Sequence, residues 1–558
     1  MRNSLLWFTA PALPIFFISA AENTPAEKPA AGPPPYERII NELRSHDEVL
    51  PPPPQDYVVR EMYNHEGVIP PQCYTKNHQV FNACYVCHQA EIPGRENVMN
   101  DDDLQAAYSF SDVGMANHWK NLFEDRSERV EEMSDEEILA YINEDNYSEL
   151  PERLKEADFK GWIPELNDLE KGAEAFDEHG FAKDGSHWVA FNYKPFPSTF
   201  WPTNGSTDDV MIRLDQLFRQ TKDGKESLDV YKANLALLEA NMKGLDRIST
   251  LPVDEAIIGR DLNGDGELTV IEEITSHDAW VGAAEKAYKS TFIYPAGTEF
   301  MHTVRYVGFD EDGEITVSKR MKEVRYMKKW RVYGKPTYAR SYELEGFEKE
   351  AGHLPSYQPL AEHGLDNKNG WSIAGFIEGY NGRLRVLTHE ENFSCMGCHN
   401  SIGSTIDKTF SFPRKVEGAK GWGYIDLKGM PDVPTLGEKK GEFETYLERV
   451  GGGSEFRNNV EMTKRWFQDN HPTKIDEKKL AKAKDVYDLI TPSRKRALEL
   501  NKAYKTIVED QDYIYGKDAI ITPPENVFEF IDNETATPLR PENQYRWNIL
   551  LDWSSYTD

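Results

Sequence analysis

The spacing of apolar and polar residues changes character several times along the chain. Residues 5–18 are almost continuously apolar behind one cation, Arg2, and lead into the small residues Ser19, Ala20 and Ala21. That is the pattern of an export signal cleaved before Glu22, here interrupted by Pro11 and Pro14. The run is too short and broken for a membrane span, and no later stretch is long and apolar enough for one. Two proline-rich tracts follow, at 24–35 and 51–54, with the character of extended linker. A helix is predicted behind the capping box Ser134-Asp135-Glu136-Glu137, where Ile138, Leu139, Tyr141 and Ile142 carry the apolar stripe. Strands are predicted at 299–308, 315–318 and 323–333, the first two joined by the turn sequence Asp310-Glu311-Asp312-Gly313. Helical spacing returns at 441–450, 474–489 and 492–509. This pattern predicts a mainly α chain with an inserted α+β region, and 558 residues are enough for several domains.

Charge narrows the choice of partners. The chain has 95 acidic and 64 basic residues, a net charge of −31, which argues against binding nucleic acid or an anionic membrane. One basic island breaks the trend. Residues 319–335 hold eight cations and a single acid, Glu323. It reads first as a solvated strand face, and second as a cradle for acidic groups.

The five cysteines carry the most chemistry. Four fall into two copies of one motif, Cys84-Tyr85-Val86-Cys87-His88 and Cys395-Met396-Gly397-Cys398-His399. Cys-x-x-Cys-His is the attachment signature of a c-type haem: two thiols add to the two vinyl groups of one porphyrin, and the adjacent histidine lies under the iron. At these residues the chain resembles the dihaem c-type cytochromes. The resemblance implies cytochrome c-like haem units, two covalent haems, and export to the periplasm or beyond, with no membrane span after signal cleavage. No cysteine lies near the cleavage point, so the chain is not an obvious lipoprotein. The fifth thiol, Cys73, is read as a buried inert group, with a redox or ligand role as the alternative. The expected organisation is a signal peptide at 1–21, a linker at 22–55, a first haem unit at 56–160, an α+β block at 161–350, a second haem unit at 351–465 and a helical region at 466–558.

Each iron has a sixth position to fill or to leave open. For the first haem the candidates are Met99, Met115, His118 and His78, with His118 preferred. For the second, Met430 between Gly429 and Pro431 resembles the distal Met loop of class I cytochromes c, and His389 and His302 are rivals.

A second motif lies in the cysteine-free block. Asp261, Asn263, Asp265, Glu267 and Glu272 stand at the oxygen-donor positions of an EF-hand loop, with Gly266 at its sharp turn and Leu268 as its apolar anchor. One structural calcium ion is expected there. The alternative is a plain acidic turn.

Two functions remain open. The first is electron transfer between unidentified redox partner proteins. The second is a dihaem enzyme resembling the bacterial cytochrome c peroxidases and related oxygenases, with one open iron. The 311 residues between the motifs are wider than that second resemblance implies. A carrier fused to a binding module is a third option.

Overall fold

The computed structural model describes residues 114–557 apart from 198, 276–277, 352, 354–356, 453–456, 470, 533–534 and 545. Before residue 114 it describes 44, 49–51, 69–76, 81–89, 105, 107, 108 and 110. The expected signal peptide, most of the linker, His78 and Met99 lie outside the described residues.

A large antiparallel sheet organises the chain, which corrects the expectation of a mainly α, cytochrome-like fold. Its strands are β1 (Val189–Ala190), β2 (Thr207–Arg213), β5 (Glu299–Phe309), β6 (Ile315–Lys329), β7 (Gln358–Pro359), β8 (Leu365–Asp366), β9 (Trp371–Glu378) and β10 (Leu384–Val386). They lie in the order β1-β2-β5-β6-β9-β8-β7, with β10 on β9. A separate hairpin pairs β3 (Ile248–Asp254) with β4 (Val270–Ile274). The β5–β6 turn forms as predicted, with the Gly313 amide bonded to the Asp310 carbonyl at 3.0 Å and Gly313 at φ +83°. The capping box also forms: the Ser134 hydroxyl accepts from the Glu137 amide and starts the helix α2 (Asp135–Ile142).

The strands predicted at 299–308, 315–318 and 323–333 fall on β5 and β6, which runs unbroken through 319–322; many of the sheet's polar positions are buried too. Asp208, Asp209, Thr303, Arg305, Arg320, Lys322, Glu323 and Lys329 all lie inside the protein. Two-residue alternation between apolar and polar therefore does not follow burial along β2, β5 and β6.

The two faces of the sheet serve different cores. Phe300, Met327 and Ile373 belong to a cluster that includes Tyr85, Val86 and Met396 from the two cysteine motifs. Met301, Val324, Tyr326 and Phe376 pack on the other side with Leu150, Leu154 and Trp188. The helix α6 (Arg494–Asp510) shares a third cluster with Ile138, Tyr306 and Ile377.

The basic island is mostly interior, which corrects its reading as a solvated face. It forms most of β6, at the centre of the sheet. Arg320 pairs with Glu378 at 3.0 Å, Lys329 with Asp407 at 2.7 Å, and Arg325 with Glu323 at 2.9 Å. Lys322 donates instead to the Gly205 carbonyl at 2.6 Å and lies over the rings of Tyr504 and Tyr306. Of the island's eight cations, Lys319, Lys328 and Arg331 are exposed.

Burial pushes the Lys322 ammonium down to about 7. An unfolded lysine holds its proton up to about pH 10.4. Between those values the unfolded chain binds a proton that the folded chain does not, so Lys322 makes stability rise with pH by about 1.4 kcal/mol per pH unit. Lys322→Met is expected to remove this contribution. Urea unfolding of both proteins between pH 7 and 10 should show the variant gaining stability relative to wild type at the low end of the range. A constant difference would refute the assignment.

Candidate functional site

Both Cys-x-x-Cys-His motifs open into one cavity. Cys84, Cys87 and His88 line it together with Cys395, Cys398 and His399. The motifs are far apart in sequence but joined in the fold: the Ser404 amide bonds to the Cys87 carbonyl at 3.1 Å, and the Gln89 side-chain amide to the Gly403 carbonyl.

Each motif is wound so that its reactive groups share a side. In the first, the helix α1 (Cys84–Cys87) begins with the Cys84 amide on the Asn82 carboxamide at 2.6 Å. It ends with the His88 amide on the Cys84 carbonyl at 2.9 Å. In the second, the same bond runs from the His399 amide to the Cys395 carbonyl at 3.1 Å. Residues three and four apart on a helical turn face the same way, so each turn brings two thiols and one imidazole together.

The second motif is firmly braced. The helix α5 (His389–Asn392) precedes it and is closed by a capping box of Thr388 and Glu391. Glu391 also forks onto Arg385 with bonds of 2.9 and 2.8 Å. Asn392 donates to the Ile373 carbonyl on β9 at 3.0 Å, and the Tyr357 hydroxyl to the Met396 carbonyl at 3.0 Å.

The chemistry of these groups suits a covalently held porphyrin. His399 Nδ1 lies 2.8 Å from the Lys408 carbonyl, which can only accept, so Nδ1 carries the proton and Nε2 keeps its lone pair. Burial pushes the ring down to about 4, with Arg325 and His302 adding to the effect, so it stays neutral as an iron ligand must. Burial likewise pushes Cys84 up to about 12 and Cys398 up to about 11. These are neutral thiols and not the low-pKa thiolates of redox-exchange sites. Cys73 lines the same cavity and is raised by burial and by the neighbouring Cys84 and Cys398.

The floor of the cavity is the sheet face that carries Val210, His302, Arg325 and Gly375 as successive cross-strand partners. His302 Nε2 lies 3.2 Å from Asp208 Oδ2. Lys517 bonds Glu323 at 3.2 Å, and Arg457 bonds Asp518 at 2.9 Å. Both cations line the cavity with Arg325.

The preferred distal ligands are placed elsewhere. Met430 is buried in the apolar core, its carbonyl accepting from the Val486 amide at 2.8 Å, and it does not line the cavity. His118 packs against Trp119 with tilted rings, their centres 4.1 Å apart, and is pushed down to about 4 by burial, but Trp119 and not His118 reaches the cavity wall. His389 packs on Phe393 and Met115 is half-buried, and neither lines the cavity. Of the named candidates among the described residues, His302 is the one on the cavity wall. Its sequence signal was weak because strand pairing, not motif spacing, brings it there. Arg325 was noticed only as one cation of the basic island.

The acidic loop at 261–272 follows a single helical turn, α4 (Glu255–Ile258), and runs into β4, so helices do not flank it as in an EF-hand. Its turn is nonetheless formed. The Asp261 carboxylate accepts from the Gly264 and Gly266 amides at 2.6 and 2.9 Å, and Asp265 from the Glu267 amide at 2.8 Å. Glu272 is exposed on β4. Among the described residues, the acidic oxygens that gather within 4.8 Å are those of Glu124, Asp510 and Asp512 and not the loop's own. Arg126 already bridges Glu124 and Asp510.

Comparison with known proteins gives a family. Residues 58–485 match one described as "-like lipoprotein". The chain is also similar to an uncharacterized lipoprotein of Aquifex aeolicus, with 30% identity over 550 residues, covering 87% of this chain and 91% of that protein. No solved structure matches. Neither match names a cytochrome or haem. Together with the sheet-based fold, they overturn the assignment to the c-type cytochromes and to the dihaem peroxidases. Among the described residues no helix is long and apolar enough to cross a membrane.

Proposed function

On the premise that the chain belongs to this lipoprotein family, we propose that it is an exported, haem-bearing redox protein of the cell envelope, facing the periplasm or the exterior. One observation carries the reading: two complete Cys-x-x-Cys-His motifs, remote in sequence, line a single cavity. Cys84 and Cys87 hold one haem over His88, and Cys395 and Cys398 hold the other over His399. Arg325, Lys517 and Arg457 supply positive charge for the porphyrin carboxylates. Bound there, each haem supplies a one-electron iron couple. Both haems would be held in one cavity, which suits passage of an electron from one partner protein to another.

Reductive titration of the exported protein tests this. Two electrons per chain are expected, in two steps that influence each other because both irons are held in one cavity. A chain that takes up no electrons in the haem bands would overturn the proposal.

We assign the loop at 261–272 a structural calcium ion held by Asp261, Asn263, Asp265, Glu267 and Glu272. Its donors are all oxygen, and Gly264 and Gly266 take the positive φ values, +80° and +87°, that its turns need. An ion that binds only the folded state stabilises it by about 2.7 kcal/mol when present at about 100 times Kd. Chelation is therefore expected to lower the melting temperature, and Glu272→Ala to abolish that response. A melting curve indifferent to chelator would remove calcium from the account.

A further inference from the structure

A second hollow lies on the sheet face turned away from Phe300 and Met327. Strand register puts Arg213, Glu299, Lys328 and Ser372 in one row across β2, β5, β6 and β9, at one end of those strands. Side chains alternate along a strand, so Lys328 shares its face with Tyr326 and not with Arg325 or Met327. The row lines a hollow of about 440 Å³, within the roughly 300–1,000 Å³ of small-molecule sites. Trp162 lies flat on Tyr326, with ring centres 4.0 Å apart and planes 2° apart, and both rings line the same hollow.

Two close approaches build the rims. Gly297, at φ +84°, lies against Asp215, where a Cβ would come within 2.6 Å of the Asp215 Cβ. A Cβ at Gly161 would collide with the Glu362 carbonyl. Glycine at these positions lets the turn Gln216–Arg219 and the neighbouring His363 stand beside the row.

The charges in the hollow balance. Arg213, Arg219 and Lys328 face Glu165, Asp215 and Glu299. Arg213 is fully engaged, with bonds to Glu299 at 2.7 Å and Glu165 at 2.5 Å, and Glu299 also accepts from the Tyr326 hydroxyl. The other two cations are held loosely. Lys328 is half-exposed and 3.6 Å from Glu299. Arg219 is mostly buried, yet its ion pair with Glu226 is 4.0 Å long and its Nε has no partner. A buried donor left in this way calls for an explanation. A free anion would gain these two cations but meet three carboxylates, and a free cation would meet the reverse. A sugar hydroxyl donates once and accepts twice, so it can bridge a carboxylate and a neighbouring cation. The apolar face of a sugar ring matches an indole.

We propose that this hollow binds a neutral saccharide, with one ring face on Trp162 and hydroxyls shared among Asp215, Arg219 and Lys328. The site is separate from the Cys-x-x-Cys-His cavity and does not depend on haem.

The full exported chain is applied to an array of immobilised neutral and anionic oligosaccharides, and the neutral glycan bound best is then titrated by calorimetry. Binding is expected to survive high salt, because no net charge is exchanged. Lys328→Met, at a half-exposed position, should weaken it about tenfold, the effect of losing one hydrogen bond to a charged group. Trp162→Ala should weaken it at least as much. Trp330→Ala removes an exposed aromatic that does not line the hollow, and should leave affinity unchanged. Absence of binding to every neutral glycan overturns the proposal. Binding confined to anionic glycans and lost in high salt also overturns it, as does an affinity indifferent to both Lys328→Met and Trp162→Ala.

Discussion

Replacing Cys395 and Cys398 together by serine is expected to leave one covalent haem per chain instead of two, and the matching pair at Cys84 and Cys87 to do the same for the other. All four substitutions should leave none. The two motifs are separately built, which is why the effects should be independent. Asn82 and the α1 turn hold the first, while α5, Tyr357 and Asn392 hold the second. Each motif therefore keeps its shape when the other loses its thiols. Electron uptake should fall from two per chain to one. Intact mass and reductive titration measure the two consequences separately. A double variant that still carries two haems, or a wild type that carries one, would break the correspondence between motifs and cofactors.

Glu391→Ala is expected to be among the most damaging single substitutions. Glu391 is almost wholly buried, closes the capping box with Thr388, and takes both ends of the Arg385 guanidinium. Arg385 holds it well charged, below the usual carboxylate range despite burial. Its removal strands a buried arginine, which costs about 3–5 kcal/mol, and the lost cap adds about 1 kcal/mol. The helix it caps leads directly into Cys395, so the second haem should also be loaded poorly while the first is retained. Urea unfolding gives the stability change and intact mass the loading. Adding Arg385→Ala should recover part of the loss, because the unpaired charge is then gone. A double variant as unstable as the sum of the two singles would show that the pair is not the cause.

How much of this could be read in advance depended on whether a signal was local. The capping box at Ser134, the β5–β6 turn at Asp310 and the two Cys-x-x-Cys-His turns are short local segments, and each could be found from sequence alone. The sheet could not be weighed correctly, because β2, β5 and β6 bury charged residues in pairs. Arg305 meets Asp209 at 2.9 Å, and Arg320 meets Glu378 at 3.0 Å, across strands or between elements remote in sequence. A single chain gives no sign that Arg320 is interior until its carboxylate partner is placed beside it. The same cause hid the cavity floor. His302 faces Arg325 through strand register, whereas His118 is favoured in the sequence by its place between the first motif and the next helix, and Met430 by its Gly429 and Pro431 neighbours.

The intact mass of the wild-type chain, exported from a host that attaches haem and then extracted with acid and acetone, tests the central claim most directly. The account predicts a mature chain carrying two haems that survive extraction, one for each motif lining the cavity. A mass equal to the bare chain, to one haem, or to the chain with zinc would contradict it.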